Sequence, residues 1–248
     1  MDKKTIMIAL GGNSLSPKEF SGTVCEQFSF TRRTMEHLSE FILQDYNICI
    51  SHGNGPQVGN ELLRMDLTND VVPPLPIGIC VANTQGQIGY MVQQTLQNKL
   101  RDLEVDREVV TLVTQVLVDK NDKSIKNPTK FIGARYTKRE IDKLAKKLNW
   151  IVKEQEPGSW RRVVPSPMPE YIMHGKSIKA LVDRGTIVIA FGGGGIPVFN
   201  NDNGQIEGLD AVIDKDFSAA KMGRIIRAQE LWIISDIDYL YRNFNKDN

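Results

Sequence analysis

Histidine, cysteine and long apolar runs are all scarce in this chain, and each scarcity removes a class of function. The three histidines, His37, His52 and His174, show no metal-ligand spacing and no triad with a serine in a GxSxG elbow, so zinc chemistry and serine hydrolysis have no visible basis. The three cysteines, Cys25, Cys49 and Cys80, are odd in number, widely spaced and without a CxxC pair. That argues against a disulfide framework and fits a reducing compartment. No apolar stretch approaches the ~20 residues that span a bilayer. The run from Thr5 to Leu10, after Met1-Asp2-Lys3-Lys4, is too short for a signal sequence and meets glycines at once. It reads as the first strand of a soluble, cytoplasmic protein. An excess of either charge is also missing: 31 Lys+Arg against 30 Asp+Glu leave a net +1, so no nucleic acid or membrane partner is expected. Any anion must be held by a local site, and that site is no P-loop, because GxxxxGK[ST] is absent.

What is present is an α/β pattern. The chain has 248 residues, 41% of them hydrophobic, enough for one large domain with an insertion or two modest ones. Short β-branched runs are followed by glycine-rich turns and then by segments with helical periodicity, the order of a parallel sheet with crossover helices. Residues 5–10 run into Gly11-Gly12-Asn13, and Met35, Leu38, Phe41 and Ile42 mark one helix face. Residues 47–51 run into His52-Gly53-Asn54-Gly55-Pro56, with a helix from about Gln57. Ile88, Met91, Val92, Leu96 and Leu100 stripe a further helix, which leads to one long strand over residues 109–118. Residues 120–167 change character, being rich in Lys, Asn, Pro and Arg with one modest helix near residues 138–148, and read as an inserted lid. Beyond it come a helix near 177–183, a strand at 186–191, Gly192-Gly193-Gly194-Gly195, a hairpin turn at residues 201–204, a helix after Asp216 and a strand at 231–235.

Three glycine clusters thus follow predicted strands, where an open α/β sheet gathers its ligands. Without Cβ atoms, Gly11, Gly12, Gly53, Gly55 and residues 192–195 can turn backbone N–H groups toward an anion. One such loop is as readily a tight turn; three on one sheet edge point to a shared anion site. Gly53-x-Gly55-x-x-x-Gly59 misses the dinucleotide spacing by one residue, leaving a Rossmann reading open but poorly supported. Phosphoryl transfer needs cations and N–H donors around the group in flight. Lys215 lies between Asp214 and Asp216 at a helix start, where the carboxylates can orient it or a Mg²⁺; an ordinary N-cap with a solvated lysine stands equally beside that reading. Lys130, in Asn127-Pro128-Thr129-Lys130, can swing over phosphates with the lid, although a lone loop lysine is more often solvated. Trp160-Arg161-Arg162 can anchor that lid or bind an anion, or mark a surface. An acceptor that is already an anion needs no general base, which suits the scarcity of histidine.

Taken together, the segments resemble the carbamate kinase family of the amino acid kinase superfamily. The likeness lies in Ile8-Ala9-Leu10-Gly11-Gly12-Asn13, His52-Gly53-Asn54-Gly55-Pro56-Gln57-Val58-Gly59, Gln85-Gly86-Gln87-Ile88-Gly89-Tyr90, Asn127-Pro128-Thr129-Lys130, Trp160-Arg161-Arg162-Val163-Val164-Pro165-Ser166-Pro167 and Ala211-Val212-Ile213-Asp214-Lys215-Asp216, in family order. The resemblance implies a three-layer α/β/α fold with a central, mainly parallel sheet and a small protruding lid, residues 1–248 forming one domain with 120–167 inserted. It further implies reversible phosphoryl transfer between ATP and carbamate with Mg²⁺, giving ADP and carbamoyl phosphate, in a homodimer, with ATP generation in arginine or purine-derivative catabolism. By motif match, Gly11, Gly12, Asn13, Gly53, Asn54 and Gly55 would cradle acceptor and phosphoryl group, Lys130 and Lys215 would neutralise transition-state charge, and Asp214 and Asp216 would orient Lys215. Asp236, Asn243 and Phe244 would lie near the nucleotide, and no residue is expected as a direct metal ligand. Departures are Ser14, Phe131, Asp210, Ser235 and the stretch 79–83. The family pattern also continues past the equivalent of Asn248 with a Gly-Ser-Met-Gly-Pro-Lys-type segment, so a cation and part of the sheet edge are expected to be missing. Loss of one phosphate contact lowers rate by about 10²–10³. Three readings follow: an active carbamate kinase, a homologue that only binds nucleotide or anion, and a kinase for another small carboxylate.

Overall fold

The computed structural model describes residues 3–15 and 22–235. The chain first forms β1 (Thr5–Leu10), α1 (Gly12–Leu15), α2 (Val24–His37), α3 (Ser39–Leu43), β2 (Asn47–His52), α4 (Gly55–Thr68), α5 (Ile77–Asp102), β3 (Val109–Leu112) and β4 (Gln115–Val118). Then come α6 (Lys123–Lys126), β5 (Lys130–Tyr136), α7 (Lys138–Leu148), β6 (Val152–Glu156), β7 (Ser159–Val164) and β8 (Pro169–Ile172). The last part runs α8 (Gly175–Asp183), β9 (Ile187–Ala190), β10 (Ile196–Asn200), β11 (Ile206–Gly208), α9 (Lys215–Ile226) and β12 (Glu230–Ile234).

The central sheet has the order β12-β1-β2-β9-β3, and every neighbouring pair in it is parallel. All six residues of β1 are buried, as a strand covered on both faces requires. Alternation assigns its side chains to two cores. Ile6, Ile8 and Leu10 join Met35, Ile88 and Leu96 from α2 and α5 on one side. Met7 and Ala9 join Ile178, Val182, Ala219 and Met222 from α8 and α9 on the other. The result is a three-layer α/β/α arrangement.

Two expected elements are divided. Residues 109–118 are not one strand: β3 belongs to the central sheet and β4 to a second sheet of order β11-β10-β4-β8. The break falls at Thr114, where the Gln85 side chain of α5 replaces the ladder. Gln85 Oε1 accepts from the Thr114 N–H at 2.8 Å, and its Nε2 donates to Thr114 O at 3.2 Å and to Gly192 O at 3.1 Å. Likewise the stripe Met35, Leu38, Phe41 and Ile42 spans two helices separated at Leu38, yet Met35, Leu38 and Ile42 still enter one core.

Within residues 120–167, β5, β7 and β6 form an antiparallel sheet of their own, so the segment holds three strands and the single-turn α6 besides the expected helix α7. Thr137 starts α7 with a capping box to Glu140. Ile132 and Val164 of this sheet are buried with Val58, Leu62 and Val81 of α4 and α5, and Asp66 of α4 accepts from Trp150 Nε1 at 2.7 Å and Arg162 Nη1 at 3.0 Å.

Candidate active site

The carboxyl ends of β1, β2, β9 and β12 open onto a cleft of about 300 Å³ that also takes in β5, β7 and the start of α9. Gly11, Gly12, Gly53, Asn54 and Gly55 line it together with Lys130, Asp214, Lys215 and Asp216. Elements as far apart in sequence as β1 and α9 are thereby brought to one wall. Asn13 lies in α1 beside them. Asp236, Asn243 and Phe244 fall outside the described residues.

The glycines act by different means. Gly11 N–H donates to Ile234 O at 2.7 Å and Gly53 N–H to Leu10 O at 2.9 Å, continuing the sheet instead of facing an anion. Their contribution is close approach: a Cβ on Gly53 would stand 2.8 Å from Gly12 N. Donation from this loop falls to the Gly55 and Gln57 N–H groups in the first turn of α4, which also adds the positive end of its dipole; Pro56 has no N–H and Val58 N–H donates to Asn54 O at 2.8 Å. The run 192–195 is glycine for four separate reasons. A Cβ at each would meet, in turn, the His52 ring at 2.2 Å, Asn54 Nδ2 at 2.2 Å, Ile213 O at 2.6 Å and Val116 Cγ2 at 2.2 Å. Asn54 is itself fixed, its Nδ2 donating to Thr84 Oγ1 at 3.0 Å.

The charged groups form two ion pairs. Asp214 caps α9, its Oδ1 accepting from Asp216 N–H at 3.0 Å, while its Oδ2 accepts from Lys130 Nζ at 2.5 Å. Burial raises the Asp214 carboxyl, but Lys130, the Asp216 N–H and Lys215 together outweigh it and hold the pKa below the usual value. Lys215 Nζ donates to Asp216 Oδ1 at 2.6 Å, and its side chain is 14% exposed. So Asp216 orients Lys215, whereas Asp214 reaches across to Lys130 on the other sheet. His52 is buried, with Nδ1 3.1 Å from Gly53 O, and burial pushes its pKa down to about 4. Its basicity is thereby weakened, and it is not among the residues that line the cleft, so it is not placed to act as a general base.

Gly193 of the expected glycine run and Arg161, read as a lid anchor, an anion contact or a surface residue, also line the cleft, as do Phe131, Ile213 and Ser235, which were not expected as site residues. For Arg161 a signal existed: in a strand, neighbours point to opposite faces, so one arginine of Trp160-Arg161-Arg162 must turn from the face that anchors Asp66. Residues 79–83, whose departure from the family pattern suggested another acceptor, line no part of the cleft; Cys80 and Val81 are buried against α4 and β5. Among the described residues no group of three or more His, Cys, Asp or Glu can hold a metal, and no helix is long and apolar enough to cross a membrane.

A parallel sheet with glycine loops at its carboxyl ends and two lysine–aspartate pairs in one cleft, one of them reaching across it, is the layout of a phosphotransferase. The amino acid kinase family model matches residues 4–248, and the chain belongs to that family. Within it the chain falls among the carbamate kinases. It is 45% identical over 235 residues to the carbamate kinase of Pyrococcus horikoshii, covering 94% of this chain and 74% of that protein. To carbamate kinase 2 of Staphylococcus aureus it is 42% identical, over 99% of this chain and 78% of the relative. Giardia lamblia carbamate kinase, solved with citric acid, superposes with a TM-score of 0.91 at 36% identity, covering 95% of this chain and 76% of that one. The same enzyme bound to AMP-PNP gives 0.83, with 95% and 74% covered.

Proposed function

We propose that the protein catalyses reversible phosphoryl transfer between ATP and carbamate, giving ADP and carbamoyl phosphate. The observation that carries this reading is the pair of cross-cleft lysines, Lys130 and Lys215, each held by its own aspartate beside the glycine loops of β1 and β2. A carbamate oxygen attacks the γ-phosphorus as the bond to the ADP oxygen breaks. In this reading the two ammonium groups, from opposite walls, meet negative charge on the equatorial phosphoryl oxygens. Carbamate is already anionic, so a neutral, buried His52 is compatible with the absence of a general base.

Mg²⁺ enters with the nucleotide as part of the substrate, where it neutralises phosphate charge. Such a metal keeps several waters and is held chiefly by phosphate oxygens. That fits a cleft whose two carboxylates, Asp214 and Asp216, are engaged by lysines. The three-stranded sheet carrying Lys130 serves as the lid in this reading. We assign the protein to the cytoplasm, which its free cysteines suit, and to a homodimer, which Ile79 (47% exposed) and Tyr90 (59%) on the outer face of α5 support.

The test is ATP formation from carbamoyl phosphate and ADP in a coupled assay. Lys130→Ala and Lys215→Ala are each expected to lower kcat by about 10²–10³. Binding of both substrates without turnover in the wild-type protein would overturn the reading in favour of a binding-only homologue.

A further inference from the structure

Among the described residues that line the cleft, Lys130, Lys215 and Arg161 bring three positive charges and Asp214 and Asp216 two negative ones. Both lysines are matched by the aspartates, so the surplus sits on Arg161. Its hydrogen bonds go to neutral groups: Nη2 donates to Gly133 O at 2.8 Å and Nη1 to Gln155 Oε1 at 3.1 Å. Its Nε is shielded from solvent and has no acceptor among the described residues. The nearby carboxylate, Glu156, accepts from both Nη atoms of Arg135, at 2.7 and 3.0 Å. Burial first, and then the like charge of Arg135, pushes the Arg161 guanidinium down to about 10 against the weaker attraction of Glu156. A half-buried cation bonded only to neutral groups is costly to fold unless it has a counter-ion to receive. The adjacent Arg162 meets the opposite condition, being paired with Asp66 and stacked 5.0 Å from the Trp150 ring centroid.

We propose that Arg161 is a substrate-positioning residue, whose guanidinium gives the cleft its net positive charge and holds phosphoryl oxygens of carbamoyl phosphate. The proposal rests on the carbamate kinase reading for the identity of the ligand, and on the geometry alone for an oxyanion. Two bonds to the inserted sheet fix the plane of the guanidinium, a form suited to bidentate contact with phosphate.

Steady-state kinetics and calorimetry with inorganic phosphate test it on wild type, Arg161→Gln, Arg161→Lys and Gln155→Ala. Arg161→Gln is expected to raise KM for carbamoyl phosphate and Kd for inorganic phosphate roughly ten- to hundredfold, the loss of one charge-assisted contact. KM for ADP and the melting temperature should stay unchanged, and Arg161→Lys should recover part of the loss. Gln155→Ala removes a support while keeping the charge and should have a smaller effect than either arginine variant. The proposal fails if phosphate affinity and KM for carbamoyl phosphate are unchanged in Arg161→Gln, if KM for ADP rises equally, or if Gln155→Ala has the same effect. A wild-type protein without turnover would count against the carbamate kinase reading, and the phosphate calorimetry would still decide the role of Arg161.

Discussion

His52 ends β2, and its ring fills the space that would be a side chain at Gly192, so it sets the gap between the loops after β2 and β9. Its folded pKa of about 4 lies below the ordinary 6.5. The unfolded chain takes up a proton near 6.5 while the folded chain does not, so stability is lost as pH falls from 6.5 toward 4. At one pKa unit per 1.36 kcal/mol the loss reaches about 3 kcal/mol. In urea unfolding across that range, His52→Gln should flatten the slope relative to wild type; an unaltered slope would show that other groups carry it. The glycines at 192–195 were visible in the sequence, but the neighbours that demand them were not. His52, Asn54, Val116 and Ile213 come from four segments, and only folding makes them adjacent.

Helix α4 and strand β5 touch backbone to backbone. A Cβ on Gly59 would lie 2.0 Å from Gly133 Cα, and Gly133 has φ +70°, which a side chain tolerates poorly. This contact lies three residues from Lys130 on the same strand, so it sets how far that lysine reaches over the cleft. Gly59→Ala should push the strand away, costing about 2–3 kcal/mol in unfolding free energy and lowering kcat; full activity with unaltered stability would show that the contact is slack. Elements with strong local signals were legible. The short apolar runs before glycines at residues 5–10 and 47–51 match β1 and β2 closely, and the helix expected near residues 138–148 matches α7. The division of residues 109–118 was not, because it depends on one amide, Gln85, 29 residues away. Nor were β6 and β7, which pair only with each other and β5 and carry half-exposed, polar sequences.

At the scale of the molecule, the α5 face bearing Ile79 and Tyr90 includes Gly86, where a Cβ would meet nothing within 4 Å. The preceding turn exposes Val71 (84%) and Val72 (56%). Exposed Ile79 and Tyr90 beside an open glycine, on a face that also carries Asn83, suit close packing against a second copy. Sedimentation is expected to give a species of twice 27.9 kDa, and Gly86→Arg, which has room in the single chain, should convert it to the one-chain species without lowering the melting temperature. A wild-type protein sedimenting at 27.9 kDa would overturn the dimer. The amino-acid sequence by itself determined the α/β class and the glycine loops that follow the strands, because periodicity and glycine act over a few neighbouring residues; it left the roles of Lys130 and Lys215 open until the family resemblance was weighed. Tertiary structure decided that Asp214 holds Lys130 while Asp216 holds Lys215, that Gly11 and Gly53 supply room while their N–H groups extend the sheet, and that Arg161 faces the cleft while Arg162 anchors its sheet. Those are questions of which distant groups come within hydrogen-bonding distance, and only the packed chain answers them.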